Sequence, residues 1–194
     1  DGVRGVDGAG IDQYSPATGS DVSRTPTISA DLVDSATLTL STNSASPKSS
    51  DIVAKDGSSL NEYDKATVLA FDVKAQKDEV TITDLVIDIV KAGSGGATAS
   101  TTVYLYEGST ELDSATVSSG AATFSDLDYV VPRDATKTLW VKVDIRNANG
   151  TVSQISADID TADITAENSR GDSITESGSA TGETHYVRNA GILA

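Results

Sequence analysis

Apolar and polar residues alternate along the middle of this chain with a period of two, and that alternation predicts strands. Leu69, Phe71, Val73 and Ala75 fall on one side of residues 67–75, with Val68, Ala70, Asp72 and Lys74 on the other. Leu139, Val141, Val143 and Ile145 form the cleanest stripe, opposed by Trp140, Lys142, Asp144 and Arg146. Between them, Val80 and Ile82 and then Leu85, Ile87 and Ile89 slip phase by one. One extra residue near Thr83 and Asp84 restores the facing, so a β-bulge or bend is expected there. Val103 and Leu105 face one way and Tyr104 and Tyr106 the other.

Shorter strands are expected over 36–41, 52–54, 112–117, 122–124, 129–131, 155–159 and 164–166, with Tyr186 and Val187 as a last one. Turn signals separate them: residues 76–79, Glu107-Gly108-Ser109-Thr110, Ser118-Ser119-Gly120 and residues 147–150. Pro132 lacks a ladder N–H and suits a strand end. Residues 42–50 and 56–64 read as loops, 93–96 as a flexible connection, and 168–184 are polar and Gly/Ser-rich.

No useful stretch shows helical periodicity. Nine or ten strands joined by short turns predict an all-β, mostly antiparallel two-sheet sandwich, Ig-like or jelly-roll-like. Its core is expected from Phe71, Leu85, Ile87, Val103, Leu105, Phe124, Leu139, Val141, Val143 and Ile155, each contributing ~1.5–3 kcal/mol when fully buried. This domain is expected over residues 34–191. Residues 1–33 are Gly/Asp-rich at the start and punctuated by Pro16 and Pro26, so they read as an extended N-terminal arm or linker.

Composition narrows the chemistry. The 194 residues carry a formal charge of −15, which argues against a nucleic-acid partner, since phosphate recognition needs Lys/Arg clusters, and against an anionic membrane surface. No run approaches the ~18 apolar residues of a spanning helix, so no membrane insertion is expected. The absence of Cys removes disulfides and thiolate metal sites. The chain opens on Asp1 rather than Met, as expected of a processed or excised sequence, and its Ser/Thr/Ala/Gly/Asp-rich make-up suggests an extracellular or cell-surface protein.

Candidate chemistry is sparse. His185 is the only imidazole, and the serines near it follow no nucleophile-elbow pattern, so a surface or strand-end role is expected over a Ser-His-Asp triad. With 29 Asp and Glu, carboxylate pairs arise by chance, and 5% aromatic residues leave few sugar platforms for a glycosidase. No catalytic residues are assigned. Asp126 and Asp128, and Asp158 and Asp160 with Asp163 nearby, could gather oxygens for calcium, the 158–163 group first, or could be solvated strand ends. Trp140, Tyr104 and Tyr106 could be covered within the domain, seal a subunit contact, or stack on surface glycans. Asn149 in Asn149-Gly150-Thr151 matches a glycosylation acceptor, and Asn-Gly is also a favoured turn dipeptide.

The stretches Thr102-Val103-Tyr104-Leu105-Tyr106-Glu107-Gly108, Leu112-Asp113-Ser114-Ala115-Thr116-Val117 and Lys137-Thr138-Leu139-Trp140-Val141-Lys142-Val143-Asp144-Ile145 are phrased like a known group. Residues 66–191 resemble the β-sandwich repeat modules of prokaryotic secreted and surface-layer-like proteins. The resemblance implies a structural or adhesive role and supplies no catalytic residues.

Two functions follow as expectations. One is a structural subunit that self-associates into a layer or filament. In it Val22, Ile28, Leu32 and Val33 of the arm add a strand to an exposed sheet edge of the next copy. The other is a carbohydrate-binding or adhesion module, which requires Trp140, Tyr104 and Tyr106 to form an exposed aromatic row.

Overall fold

The structure, a computed structural model, describes residues 4–6, 8, 12–14, 36–54, 61–92, 100–147 and 154–189. The chain divides into two compact units, residues 1–33 and 34–194. In the first, β1 (Arg4–Val6) and β2 (Asp12–Tyr14) form an antiparallel pair. Val22, Ile28, Leu32, Val33 and Asn149 lie outside the described residues.

The second unit is the all-β sandwich that the alternation predicts. One sheet contains β3 (Thr37–Thr42), β5 (Asn61–Gln76), β11 (Thr136–Asn147), β7 (Ser100–Glu107) and β8 (Thr110–Thr116), in that order. The other is built around β6 (Val80–Ala92) and β12 (Gln154–Ile159). Onto β6 pair β9 (Ala121–Phe124), β10 (Tyr129–Val131) and β13 (Ile164–Asn168). Beyond β12 come β15 (His185–Asn189) and then β4 (Asp51–Ala54).

β14 (Thr175–Thr181) belongs to both sheets. Its first five residues run parallel to β3, and Ala180 and Thr181 pair with β12. Pairing is mostly antiparallel, as expected, with β14–β3 and β15–β4 parallel. Residues 168–184 are therefore not all loop.

All ten residues assigned to the core from the alternation are buried. β11 explains why: its inward stripe from Leu139 to Ile145 faces β5 and β7 partners with the same inward parity, Phe71 and Leu69 on one side and Leu105 and Val103 on the other. The expected bulge is present. Thr165 pairs with Asp84 and Ala166 with Ile82, leaving Thr83 unpaired in the ladder, and its carbonyl accepts from Leu127 N at 2.8 Å. At the 118–121 turn, Ser119 and Gly120 both have positive φ, and Ser118 and Ala121 exchange backbone hydrogen bonds of 2.8 and 3.0 Å. That is the geometry which matches strand twist in a two-residue hairpin.

β5 starts earlier than its alternation suggests, taking in residues 61–66. Its register against β11 shifts twice, at Val68 and around Lys65, which adopts a φ of 53°. The first shift turns Val68 and Leu69 both into buried positions.

Two glycines separate conformational need from steric need. Gly108 has a φ of +58° and open space around a notional Cβ. Gly178 has a φ of +83°, and a Cβ there would lie 2.1 Å from the Leu40 carbonyl oxygen. Gly178→Ala is therefore expected to cost about 2–4 kcal/mol, against about 1 kcal/mol for Gly108→Ala. Thermal unfolding would register this as a loss of roughly 5–15 °C against a few degrees.

Candidate binding faces and the His185 cleft

The outer face of the β5–β11–β7–β8 sheet holds the aromatic residues. Register sets Trp140 opposite Tyr106 and Lys142 opposite Tyr104. Lys142 Nζ sits 3.8 Å from the Tyr106 ring centroid, and Lys65 Nζ lies 4.4 Å from that of Tyr104. Lys65 Nζ also donates to Tyr106 OH at 2.9 Å and contacts Glu111 Oε2 at 2.8 Å. Tyr106 OH in turn donates to Glu111 Oε2 at 2.6 Å. Hydrogen bonds to Glu111 and Tyr106 hold Lys65 well above the ordinary lysine range, while Lys65 lowers Glu111.

Below this layer, Asp144 is 7% exposed and accepts from Tyr104 OH and Lys65 N, both at 2.9 Å. That contact, with burial, raises the Tyr104 phenol. The register shift around Lys65 is what delivers its ammonium to this place. Tyr106 is left 8% exposed and Trp140 and Tyr104 half-buried. Lysines of the same domain thus lie over the rings of two of the three aromatic residues that sugar stacking would use, Tyr104 and Tyr106. Asp144, opposite the aliphatic stripe by parity, is nonetheless buried and serves these two donors.

The carboxylate trio lies where β12 turns into β13. Asp160 caps a single 3-10 turn, Thr161–Asp163, accepting from Ala162 N at 2.6 Å, and Asp160 N donates to Asp163 Oδ2 at 2.8 Å. Asp158 accepts from Thr181 Oγ1. These carboxylates therefore act as a reciprocal cap and a cross-strand acceptor. Among the described residues no three Asp, Glu or His side chains are grouped to hold a metal ion. Asp126 and Asp128 both have positive φ, 55° and 47°, the left-handed conformation that Asp tolerates better than most residues. Their spacing serves the link between β9 and β10.

His185 was expected at a surface or strand end. It does open β15, but it is 1% exposed. Its Nδ1 lies 3.1 Å from Ser50 Oγ, and its Nε2 is buried without a hydrogen-bond partner. Burial pushes its pKa below the ordinary histidine value, with the Val68 backbone and then Glu183 opposing. The ring borders a cleft of about 440 Å³, lined also by Ser50, Ile52, Val53, Tyr63 and Thr67. Asp51 lines it too, but its carboxylate faces Arg188 Nε at 3.3 Å. A hydrolytic triad needs an acid on the second ring nitrogen, and here that atom has none.

The cleft separates two strands with open sides. Among the described residues β4 has a strand partner on one side only, β15. β5 has β11 on one side, and on the other is paired with β3 only from Phe71 to Gln76. Asn43 N takes the Ala70 carbonyl at 2.9 Å. Tyr63, Ala66 and Thr67 then border the cleft opposite Ile52 and Val53. Neither His185 nor this opening follows from any sequence motif. Burial of a lone imidazole near a short apolar run was the available signal.

No protein-family model matches the chain, and no curated protein matches it. Two solved structures are similar at low identity. One is the solution structure of CaCohA2 from Clostridium acetobutylicum, 16% identical over 80% of this chain and 93% of that one, with a TM-score of 0.38. The other is a chain in the crystal structure of a CaDoc0917 variant complexed with CaCohA2, 15% identical over 78% of this chain and 99% of that one, also at 0.38. No described helix is long and apolar enough to cross a membrane.

Two titrations test these assignments. A histidine whose folded pKa is depressed supplies stability that is full above its unfolded pKa of ~6.5 and lost as pH falls through that value. Urea midpoints at pH 7.5 and 5.5 should therefore fall further for the natural protein than for His185→Gln. Asp163 has the opposite sign. Burial first, then Asp160, Asp88 and Asp158, raise its carboxyl, so its favourable contribution is full below ~pH 3.9 and lost as pH rises through the folded value. Asp163→Asn keeps an acceptor for Asp160 N and should raise the melting temperature at pH 7, with the gain vanishing below about pH 4.

Proposed function

We propose that the chain is a non-catalytic structural protein of an extracellular or cell-surface assembly, a subunit that joins copies of itself into a layer or filament. Joining proceeds by strand addition from the N-terminal residues 1–33 to a sheet border of the next copy.

The observation that supports this reading is that, among the described residues, β4 has a strand partner on one side only. A strand with unpaired N–H and C=O groups is a template for another chain unless it is guarded. The border strand β8 is guarded: it presents Glu111 and Asp113, and a register shift at Leu112 breaks its ladder. β10 stops after three residues at Pro132. β4, four residues long, shows an exposed Val53, and its one acid, Asp51, faces Arg188. The Ser50–His185 contact without an acid supports the absence of hydrolytic chemistry, and the lysine-covered Tyr106 weighs against glycan stacking.

Deletion of residues 1–33 should abolish polymers in negative-stain images and leave a monomer by light scattering, with circular dichroism unchanged in its β signature. Polymers that persist after the deletion would overturn the arm's role.

A further inference from the structure

Resting on that reading, we infer that copies joined by the arm also stack face to face. The outer face of the β3–β5–β11–β7–β8 sheet of one copy lies on the outer face of the β6–β12 sheet of another, lysines of the first against carboxylates of the second.

The two faces carry unlike charge. On the β6–β12 sheet, register turns Asp84, Asp88 and Asp158 outward, with Glu167 of β13 beside Thr81. The outward described residues of β6, β9, β10, β12 and β13 include no lysine or arginine. Asp88 and Asp158 are direct cross-strand partners, and like charges in that position cost stability. They are also among the charges that, after burial, raise the Asp163 carboxyl. The face is open, since Asp88 is exposed and Val90 is 57% exposed.

On the other sheet Lys74 is exposed and Lys142 rests on the Tyr106 ring at 3.8 Å. Neither makes an ion pair among the described residues. The acids of this face are already engaged. Asp72 accepts from Asn43 and Thr138, and Glu111 from Lys65 and Tyr106. In a chain of charge −15, a self-contact has to set cations on acids, and these are two cations whose local acids are taken.

Spacing matches as well. Lys74 pairs in register with Thr136, and the span from there to Lys142 is roughly 20 Å. Glu167 pairs with Thr81, and the span to Asp88, with Thr83 unpaired in the β13 ladder, is also roughly 20 Å. Trp140 stands one step from Lys142 on its face, and Val86 one step from Asp88 on the other. Setting Lys142 on Asp88 and Asp158 therefore brings Lys74 to Glu167 and Trp140 to Val86, with the strands aligned as in sheet-on-sheet packing. The contact is heterologous, so each added copy leaves both faces free at the ends and the stack stays open. Exposed ion pairs are weak alone. The faces therefore engage once the arm has raised the effective concentration, and deletion of residues 1–33 still leaves a monomer.

Charge reversal in the full chain tests this by negative-stain imaging. The natural protein is expected to form layers at about 50 mM salt and to split into single-file filaments at about 500 mM. Lys74→Glu/Lys142→Glu and Asp88→Lys/Glu167→Lys should each give single-file filaments at the lower salt. The chain carrying all four changes should recover layers. Matching melting temperatures check folding. Layers of natural width from either double variant, or single files from the fourfold one, would overturn the face pairing and leave strand addition by the arm standing. Natural filaments that never widen would do the same, and a natural protein with no polymers would remove both.

Should Lys142→Glu fail to fold, the exchange of Lys74→Glu with Glu167→Lys reads the same contact. Each change alone should at least halve the salt concentration at which layers split, and the two together should restore it. Splitting at one salt concentration in all of these chains would overturn the inference.

Discussion

The pairing of β5 with β11 governs the rest of the molecule. These are two of the longest strands, and β11 also carries β7, so its register sets which side chains of three strands face inward. Side chains alternate with a strict period of two, so a slip of one residue would exchange the whole set between core and solvent. The stripe from Leu139 to Ile145 cannot tolerate that exchange, because its opposite face carries Lys142 and Asp144. The ladder absorbs irregularity through register shifts instead, at Val68 and around Lys65, and each shift has a visible consequence. One buries Val68 beside Leu69. The other aims Lys65 across Tyr104 and Tyr106, closing a face that a regular strand would leave open.

That history explains what the sequence could reveal. Alternation located the ten core residues and the bulge at Thr83, since a phase slip between Ile82 and Leu85 has few other remedies. The turn at Ser118-Ser119-Gly120 was equally readable, because it needs two residues at positive φ. β14 was not readable. Its sequence, Thr-Glu-Ser-Gly-Ser-Ala-Thr, buries only Ala180 and carries no stripe. Its position depends on Gly178 lying against the Leu40 carbonyl and on backbone pairing to two sheets. Pairing of this kind leaves no hydrophobic trace. His185 escaped for a related reason: its burial depends on Ser50 and β4, which are more than a hundred residues away in the chain.

The abundance of acid in this chain is a further case where local geometry outranks composition. Asp160 and Asp163 cap a turn, Asp126, Asp128 and Asp134 occupy left-handed positions, and Asp72 accepts from Asn43 and Thr138. Each is a job for a short side chain with an oxygen near its own backbone. A D-x-D spacing on strand ends is thus as readily a signature of turns as of cation ligands. What distinguishes the two is whether the carboxylates point toward a shared centre, and around residue 160 they point back at amides.

A sandwich has borders, and the treatment of each border is a physical choice written in residue types. Where β8 ends one sheet, acids and a broken ladder oppose any further strand. Among the described residues β4 ends the other, with Asp51 facing Arg188, Val53 exposed, and Tyr63, Ala66 and Thr67 across the cleft. At the edge of this cleft burial lowers the pKa of the His185 imidazole, while the Val68 backbone and Glu183 act the other way, and among the described residues no acid stands on its second nitrogen.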